Sequence, residues 1–449
     1  MRVHFIAIGG SAMHNLALAL NSKGYQVTGS DDHVYEPSRS RLQKAGLLPA
    51  EEGWFPEKIT EELDAVILGM HAHKDNPELQ KSLELGLEVY SYPEFLYQQT
   101  KGKKRVVIGG SHGKTSITSM ILHVLQHENV EHDYMVGAQL EGFDCMVKLT
   151  ESAPIAIFEG DEYLSSPIDR RPKFLHYRPH IALISGVAWD HINVFPSFQE
   201  YTEQFHLFTQ HIGPEGKLIS YEKDPQLMNV RAKLRPDIES ISYDTFSHRI
   251  ENGTTILLDG DNEYPCEIFG DHNMQNLSGA QLICAELGVS KESFLKAIQS
   301  FKGASNRLEK LMENDLTTVY RDFAHSPSKL KATVAALRKQ FPGKKLIACM
   351  ELHTYSSLNA NFLPNYRASL NPADVAVVFY SPKALSIKRL PPVAPFQIKE
   401  AFANESIEVF SDPEKLRNFL RVQPLKDSIV VMMSSGNWGG VDVKSALTR

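Results

Sequence analysis

Gly109, Gly110 and Gly113 stand directly before Lys114 and Thr115, at the end of the apolar run Val106-Val107-Ile108. Backbone N–H groups can surround a polyphosphate only where side chains are missing, which the glycines provide, while Lys114 adds a point charge and Thr115 a hydroxyl for Mg²⁺. The stretch reads as a strand, a phosphate loop and the start of a helix over Ser116 to Gln126 whose N-terminus faces the anion. The long form of the motif has a glycine five residues before Gly113; Ile108 stands there, so the loop is a shortened one. The bland alternative is a glycine turn followed by a surface lysine.

Two more apolar runs deliver acids and a histidine to the same neighbourhood. Ile155–Phe158 ends in Glu159-Gly160-Asp161-Glu162, and Ile181–Val187 leads to Asp190-His191. Strand carboxyl ends share one edge of a parallel sheet, so Glu159 and His191 are expected to converge on the Mg²⁺ of a triphosphate. The alternatives are acids that cap a helix and a histidine that hydrogen-bonds inside the fold. His272, Asn273 and Asn276 could read an adenine edge, because an amide offers a donor beside an acceptor; they could equally cap the helix Leu277–Leu287.

These residues need a scaffold of alternating strands and helices. At the start, Val3–Ile8, the turn Gly9-Gly10-Ser11-Ala12-Met13, a helix over Asn15–Lys23 and the strand Tyr25–Asp31 form half of a doubly wound nucleotide fold. Ala12 replaces the third glycine of the dinucleotide fingerprint, which argues against an oxidoreductase and favours another diphosphate ligand near Asp31. Ala65–Gly69 carries His71, His73 and Asp75 to the ligand edge; a histidine in such a loop is commonly only a hydrogen-bonder. The last third restarts the alternation, with Asp322 and His325 past one strand and Glu351 and His353 past the next.

The fold class is therefore α/β in three domains, with expected boundaries 1–102, 103–312 and 313–449. Lys101–Arg105 is the expected first linker, its charge a solvated face, and the mixed-charge stretch 301–315 the second. The 449 residues, 42% of them hydrophobic, suffice for a core in each domain, and the net charge of −7 argues against a nucleic-acid partner. Cys145, Cys266, Cys284 and Cys349 are too scattered for a disulfide framework or a thiolate metal site, as expected of reduced thiols in the cytoplasm. The chain opens on a strand, with no expected signal peptide, and no apolar run approaches the ~20 residues that span a bilayer, so no membrane insertion is expected.

In order and spacing, Gly110-Ser111-His112-Gly113-Lys114-Thr115, Glu159–Glu162, Asp190-His191, His272-Asn273 with Asn276, Arg307, and Asp322-Phe323-Ala324-His325 resemble the Mur ligase family over essentially the whole chain. These are ATP-dependent amide-forming enzymes of peptidoglycan metabolism. The resemblance implies a Rossmann-like UDP-binding domain, a central P-loop ATPase-like domain and a Rossmann-like C-terminal domain. It implies ATP held by Gly110 to Ser116, with Lys114 on the β/γ-phosphates, Thr115 and Glu159 on one Mg²⁺ and His191 on a second. His272, Asn273 and Asn276 would face adenine, Arg307 the γ-phosphate, and Asp322 and His325 the nucleotide from the third domain. Lys114, Glu159, His191 and Arg307 form the implied catalytic set, and Gly9, Gly10, Ser11, Ala12, Met13, Asp31 and His71 the implied UDP-substrate site.

The implied chemistry activates a carboxylate as an acyl phosphate, which an amine then attacks; domain closure is expected to keep water out. Asp31 with Val34-Tyr35-Glu36-Pro37-Ser38, Asp161-Glu162-Tyr163 with Asp169–Tyr177, and Met433–Gly440 are similar to the branch that joins UDP-N-acetylmuramate to a recycled L-alanyl-γ-D-glutamyl-meso-diaminopimelate tripeptide. The L-alanine-adding branch is the alternative within the class. A nucleotide-dependent binding or regulatory protein is the alternative outside it, motivated by Gly186 and Ala188 where the family has asparagine and glutamate. Phe205 stands where many members carbamylate a lysine, Ser326 replaces a second histidine, and no arginine-containing run surrounds His353-Thr354-Tyr355. The expected partners are small molecules only, UDP-N-acetylmuramate, ATP and a peptide or amino acid, with the chain a monomer or homodimer.

Overall fold

The computed structural model describes residues 1–189, 192 and 194–447, the side chains of 443 and 444 excepted. Asp190 and His191, two of the expected site residues, lie outside the described residues. The chain divides into two compact units, residues 1–187 with 202–243 and 279–294, and residues 188–201 with 244–278 and 295–449.

The first unit holds two sheets. Strands β1 (Arg2–Ile6), β2 (Gln26–Ser30), β3 (Ala65–Leu68) and β4 (Val89–Ser91) form a parallel sheet in the order β2-β1-β3-β4. Val3, Phe5, Ile6 and all of β3 are buried, and burial on both faces is why they read as continuous apolar runs. From β1 the chain goes to β2 on one side and on to β3 on the other, so the carboxyl ends of β1 and β3 flank a switch point where such sheets bind ligands. The helix Ser11–Ser22 begins there.

The second sheet contains β5 (Lys104–Gly109), β6 (His132–Met135), β7 (Val147–Lys148), β8 (Ile155–Glu159), β9 (Ile181–Ile184), β10 (Lys217–Tyr221) and β11 (Glu239–Tyr243), in the order β11-β10-β9-β5-β8-β6-β7. Only the β6–β7 pairing is antiparallel. The basic run before the phosphate loop is exposed at Lys101, Gly102 and Lys104, but its last charge is not a solvated one. β5 starts at Lys104, and Arg105 is buried with its guanidinium donating to the carbonyls of Thr100, Lys103 and Tyr177. Five donors in one plane let carbonyl oxygens satisfy the group with no acid beside it.

The second unit holds an antiparallel sheet, β12 (His248–Glu251), β13 (Thr254–Asp259) and β14 (Asn262–Cys266), and a larger one of β15 (Glu309–Glu313), β16 (Thr317–Asp322), β17 (Lys345–Leu352), β18 (Val375–Tyr380), β19 (Glu408–Phe410) and β20 (Ser428–Met433). The larger sheet runs β15-β16-β20-β17-β18-β19, parallel except at β15. β15 falls inside the stretch read as a hinge: its charged side chains suit a sheet edge as well as they suit a linker. Among the described residues no helix is long and apolar enough to cross a membrane.

Candidate active site

Parallel pairing sets Ile108 opposite Glu159 on one side of β5 and Gly109 opposite Ile184 on the other, so three adjacent carboxyl ends meet at the glycine loop. Gly110 has φ +124°, and a Cβ there would lie 2.2 Å from Ser185 Oγ. Only glycine lets the loop pass so close to β9. The Ser185 hydroxyl donates to the His112 carbonyl, and the Ser111 N–H donates to the Gly186 carbonyl at 2.9 Å. Gly113, at φ +79°, then turns the chain into the helix Lys114–His127, in which Thr115 and Ser116 are buried.

Within this turn Lys114 Nζ donates to the Gly110 carbonyl at 2.7 Å and to Glu162 Oε2 at 2.6 Å. Burial opposes the Lys114 charge, but the Glu162, Asp161 and Glu159 carboxylates outweigh it and hold the ammonium above its ordinary pKa. The Thr115 hydroxyl donates to Glu159 Oε1 at 2.9 Å, and the Gly137 N–H donates to Glu159 Oε2 at 2.8 Å. A hydroxyl beside a carboxylate is a donor set for a hard cation such as Mg²⁺. Asp161 is paired with Lys173 at 2.6 Å. Glu162 lay within the acid cluster seen in the sequence, where nothing pointed it at Lys114, 48 residues away.

Gly186 and Phe205 have local reasons. A Cβ at Gly186 would lie 3.0 Å from His112 Cε1 and 3.2 Å from Asp224 Oδ2. That carboxylate accepts the Val187 N–H at 2.8 Å and caps the helix Pro225–Ala232. Phe205 is buried, its ring centroid 5.7 Å from that of Phe174, which stacks on Phe208 at 4.5 Å.

At the switch point of the first sheet, Asp31 Oδ2 accepts the Gly9 N–H at 2.6 Å and Oδ1 faces His71 Nε2 at 2.9 Å. The Asp31 hydrogen bond raises the pKa of His71. Burial works against the Asp31 charge, yet His71 and the Gly9 N–H hold its pKa low. The half-exposed imidazole is thus biased toward its cationic form close to the turn that begins the Ser11–Ser22 helix. Gly10 is the N-cap, Ser11 and Ala12 are exposed and Met13 is buried.

In the second unit, His272, Asn273 and Asn276 occupy the first turns of the helix Asp271–Glu286. Asn273 donates to the Phe269 carbonyl at 3.0 Å, and Asn276 to Asn273 Oδ1 at 3.3 Å. Burial lowers the pKa of His272 against the pull of Asp322 and Asp271. The Arg307 guanidinium lies 4.6 Å from the Phe323 ring centroid and donates to the Asn306 carbonyl. Asp322 is buried, accepting from the Leu308 and Phe323 N–H groups at 3.2 and 2.9 Å and from the Thr333 hydroxyl. His325 Nδ1 lies 2.9 Å from the Phe323 carbonyl oxygen.

Three family signatures cover most of the chain: "Mur ligase family, catalytic domain" over residues 2–104, "Mur ligase middle domain" over 108–284, and "Mur ligase, glutamate ligase domain" over 306–436. A UDP-N-acetylmuramate–L-alanine ligase of Lactiplantibacillus plantarum is 30% identical across 83% of this chain and 82% of its own length. The chain belongs to the Mur ligase family. A UDP-N-acetylmuramate–L-alanyl-γ-D-glutamyl-meso-2,6-diaminoheptandioate ligase of Haemophilus influenzae is 28% identical over 98% of both chains. Among solved structures, a murein peptide ligase from Psychrobacter arcticus shares the fold, with a TM-score of 0.68 and 23% identity over all of this chain and 98% of its own. This Mur ligase is accordingly an ATP-dependent enzyme, and Mur ligases use ATP with Mg²⁺.

Proposed function

We propose that this Mur ligase joins the carboxylate of UDP-N-acetylmuramate to the amine of a recycled L-alanyl-γ-D-glutamyl-meso-diaminopimelate tripeptide, releasing ADP and phosphate. The observation that carries the activating half is the convergence of Lys114, Thr115 and Glu159 on one glycine loop. The full-length match to a tripeptide ligase supports the amine half. In this reading residues 1–102 take the UDP substrate, 103–312 the ATP and 313–449 the amine. Gly9 to Met13, Asp31 and His71 hold the UDP diphosphate. Gly110 to Ser116 cradle the ATP phosphates, and His272, Asn273 and Asn276 face adenine, with Asp322 and His325 at the ribose side. The protein works in the cytoplasm as a monomer or homodimer.

A carboxylate resists attack by an amine because its charge repels the nucleophile and oxide is a poor leaving group. Phosphorylation by ATP converts that oxygen into phosphate. Phosphoryl transfer concentrates negative charge, which Lys114 and Arg307 would offset. Thr115 and Glu159 would hold one Mg²⁺ and His191 a second; the metal supplies charge neutralisation at the phosphates.

The test is incubation with UDP-N-acetylmuramate, Mg²⁺-ATP and either the tripeptide or L-alanine, with the nucleotide product weighed by mass spectrometry. The tripeptide adduct is the expected product. Preference for L-alanine would favour the second reading, which the 30% identity to an L-alanine ligase supports. ATP and nucleotide binding without turnover, in folded protein, would favour a binding or regulatory role.

A further inference from the structure

The carboxyl edge of the larger sheet in the second unit carries a cluster that phosphate chemistry leaves unused. Glu351, near the end of β17, is almost wholly buried. β17 pairs with β20 in parallel, Met350 opposite Met433, which brings Glu351 beside Ser434. The Ser434 hydroxyl and the Trp438 N–H, the latter at 3.0 Å, both donate to Glu351 Oε2. The other oxygen, Oε1, lies 3.7 Å from His353 Nδ1, and among the described residues it accepts no hydrogen bond. A carboxylate is costly to desolvate unless its lone pairs are used. The His353 imidazole is the ionisable group that faces this oxygen among the described residues, just beyond a direct hydrogen bond.

Shape holds the ring in place as well. A Cβ at Gly436 would lie 2.5 Å from His353 Nδ1, 2.6 Å from its Cγ and 2.8 Å from Glu351 Oε2, so only glycine lets the β20 loop close over the imidazole. On the other side Thr354 caps the short helix Tyr355–Leu358 by accepting the Ser357 N–H at 3.1 Å. The side chain of His353 is still 37% exposed, and Glu351 is the one charged group paired with it among the described residues. A carboxylate facing Nδ1 favours the Nδ1–H tautomer, which keeps the lone pair on Nε2, the arrangement of a base with its orienting group.

We propose that His353 Nε2 deprotonates the incoming peptide amine and that Glu351 is the residue that positions it. The assignment rests on the ligase reading above. In neutral solution a peptide amine is largely an ammonium, with no lone pair to attack. The imidazole takes one of its protons. The nitrogen lone pair then forms the C–N bond, the acyl C–O bond to phosphate breaks, and the second proton leaves on the phosphate as HPO₄²⁻. The products are the amide, phosphate and the imidazolium.

The experiment compares the tripeptide with hydroxylamine, a small nucleophile that is largely unprotonated at neutral pH, in the wild type and in His353→Gln, His353→Asn and Glu351→Gln. The histidine variants are expected to lower kcat with the tripeptide about 100-fold while hydroxamate formation and the KM for UDP-N-acetylmuramate stay near wild type. Glu351→Gln keeps an acceptor for Ser434 and Trp438 and is expected to lower tripeptide kcat about 10-fold, again sparing hydroxamate formation. Unchanged tripeptide turnover, or an equal loss with both nucleophiles in folded protein, overturns the assignment. A wild type that forms no amide with any amine removes the ligase reading and this assignment with it.

Discussion

The buried carboxylate of Glu162 holds the Lys114 ammonium at 2.6 Å, at the mouth of the glycine loop that gives the chain its phosphate chemistry. The pair shapes what a lysine substitution does. Lys114→Ala removes a charge that stabilises phosphoryl transfer, with an expected loss in kcat of about 10²–10³-fold. It also removes the cation paired with a buried carboxylate, a change that costs up to about 3–5 kcal/mol. Lys114→Ala with Glu162→Gln should recover most of that stability in urea titrations and none of the activity. Recovery of turnover in the double variant would place the catalytic charge elsewhere.

His71 predicts an acid-favoured substrate. Its pKa is raised by Asp31, so the imidazolium is the anion-binding form below that raised value. Affinity for UDP-N-acetylmuramate, followed by calorimetry, should fall as pH rises through it, and His71→Asn should bind more weakly with a flatter profile. Stability follows the same sign. The His71 contribution is complete below its unfolded value near 6.5 and is lost as pH rises through the raised folded one. The Asp31 contribution is present above its unfolded value near 3.8 and is lost as pH falls through the lowered one.

Gly110→Ala combines a φ of +124° with a Cβ 2.2 Å from Ser185 Oγ. Overpacking of this kind costs about 1–3 kcal/mol. The urea midpoint should drop accordingly and ATP binding weaken with it, whereas affinity for the UDP substrate should hold.

Phe205 is packed against Phe174 among apolar rings. Phe205→Ala should destabilise the protein by about 3–5 kcal/mol through the cavity it leaves. Phe205→Lys would bury an ammonium against the Phe174 ring, so its destabilisation should not be relieved by bicarbonate; rescue by bicarbonate would show a latent carbamate site.

The alternation of strands and helices was legible because parallel strands buried on both faces are written as unbroken apolar runs. The phosphate loop was legible because Gly110, Gly113, Lys114 and Thr115 are neighbours in the chain. Hidden were the relations made by folding: Glu162 under Lys114, Ser185 against Gly110, Asp224 beside Gly186, Ser434 against Glu351. Each joins strand ends far apart in sequence, and only the sheet order brings them together. The charge of Arg105 and of β15 misled for a related reason, since polarity alone does not separate a linker from a buried guanidinium or an edge strand.

The most direct test is to follow oxygen-18 from the carboxylate of labelled UDP-N-acetylmuramate during turnover with Mg²⁺-ATP and the tripeptide. Activation at the Lys114 loop as an acyl phosphate predicts one labelled oxygen in each inorganic phosphate released together with the amide. Phosphate released without the label would contradict it.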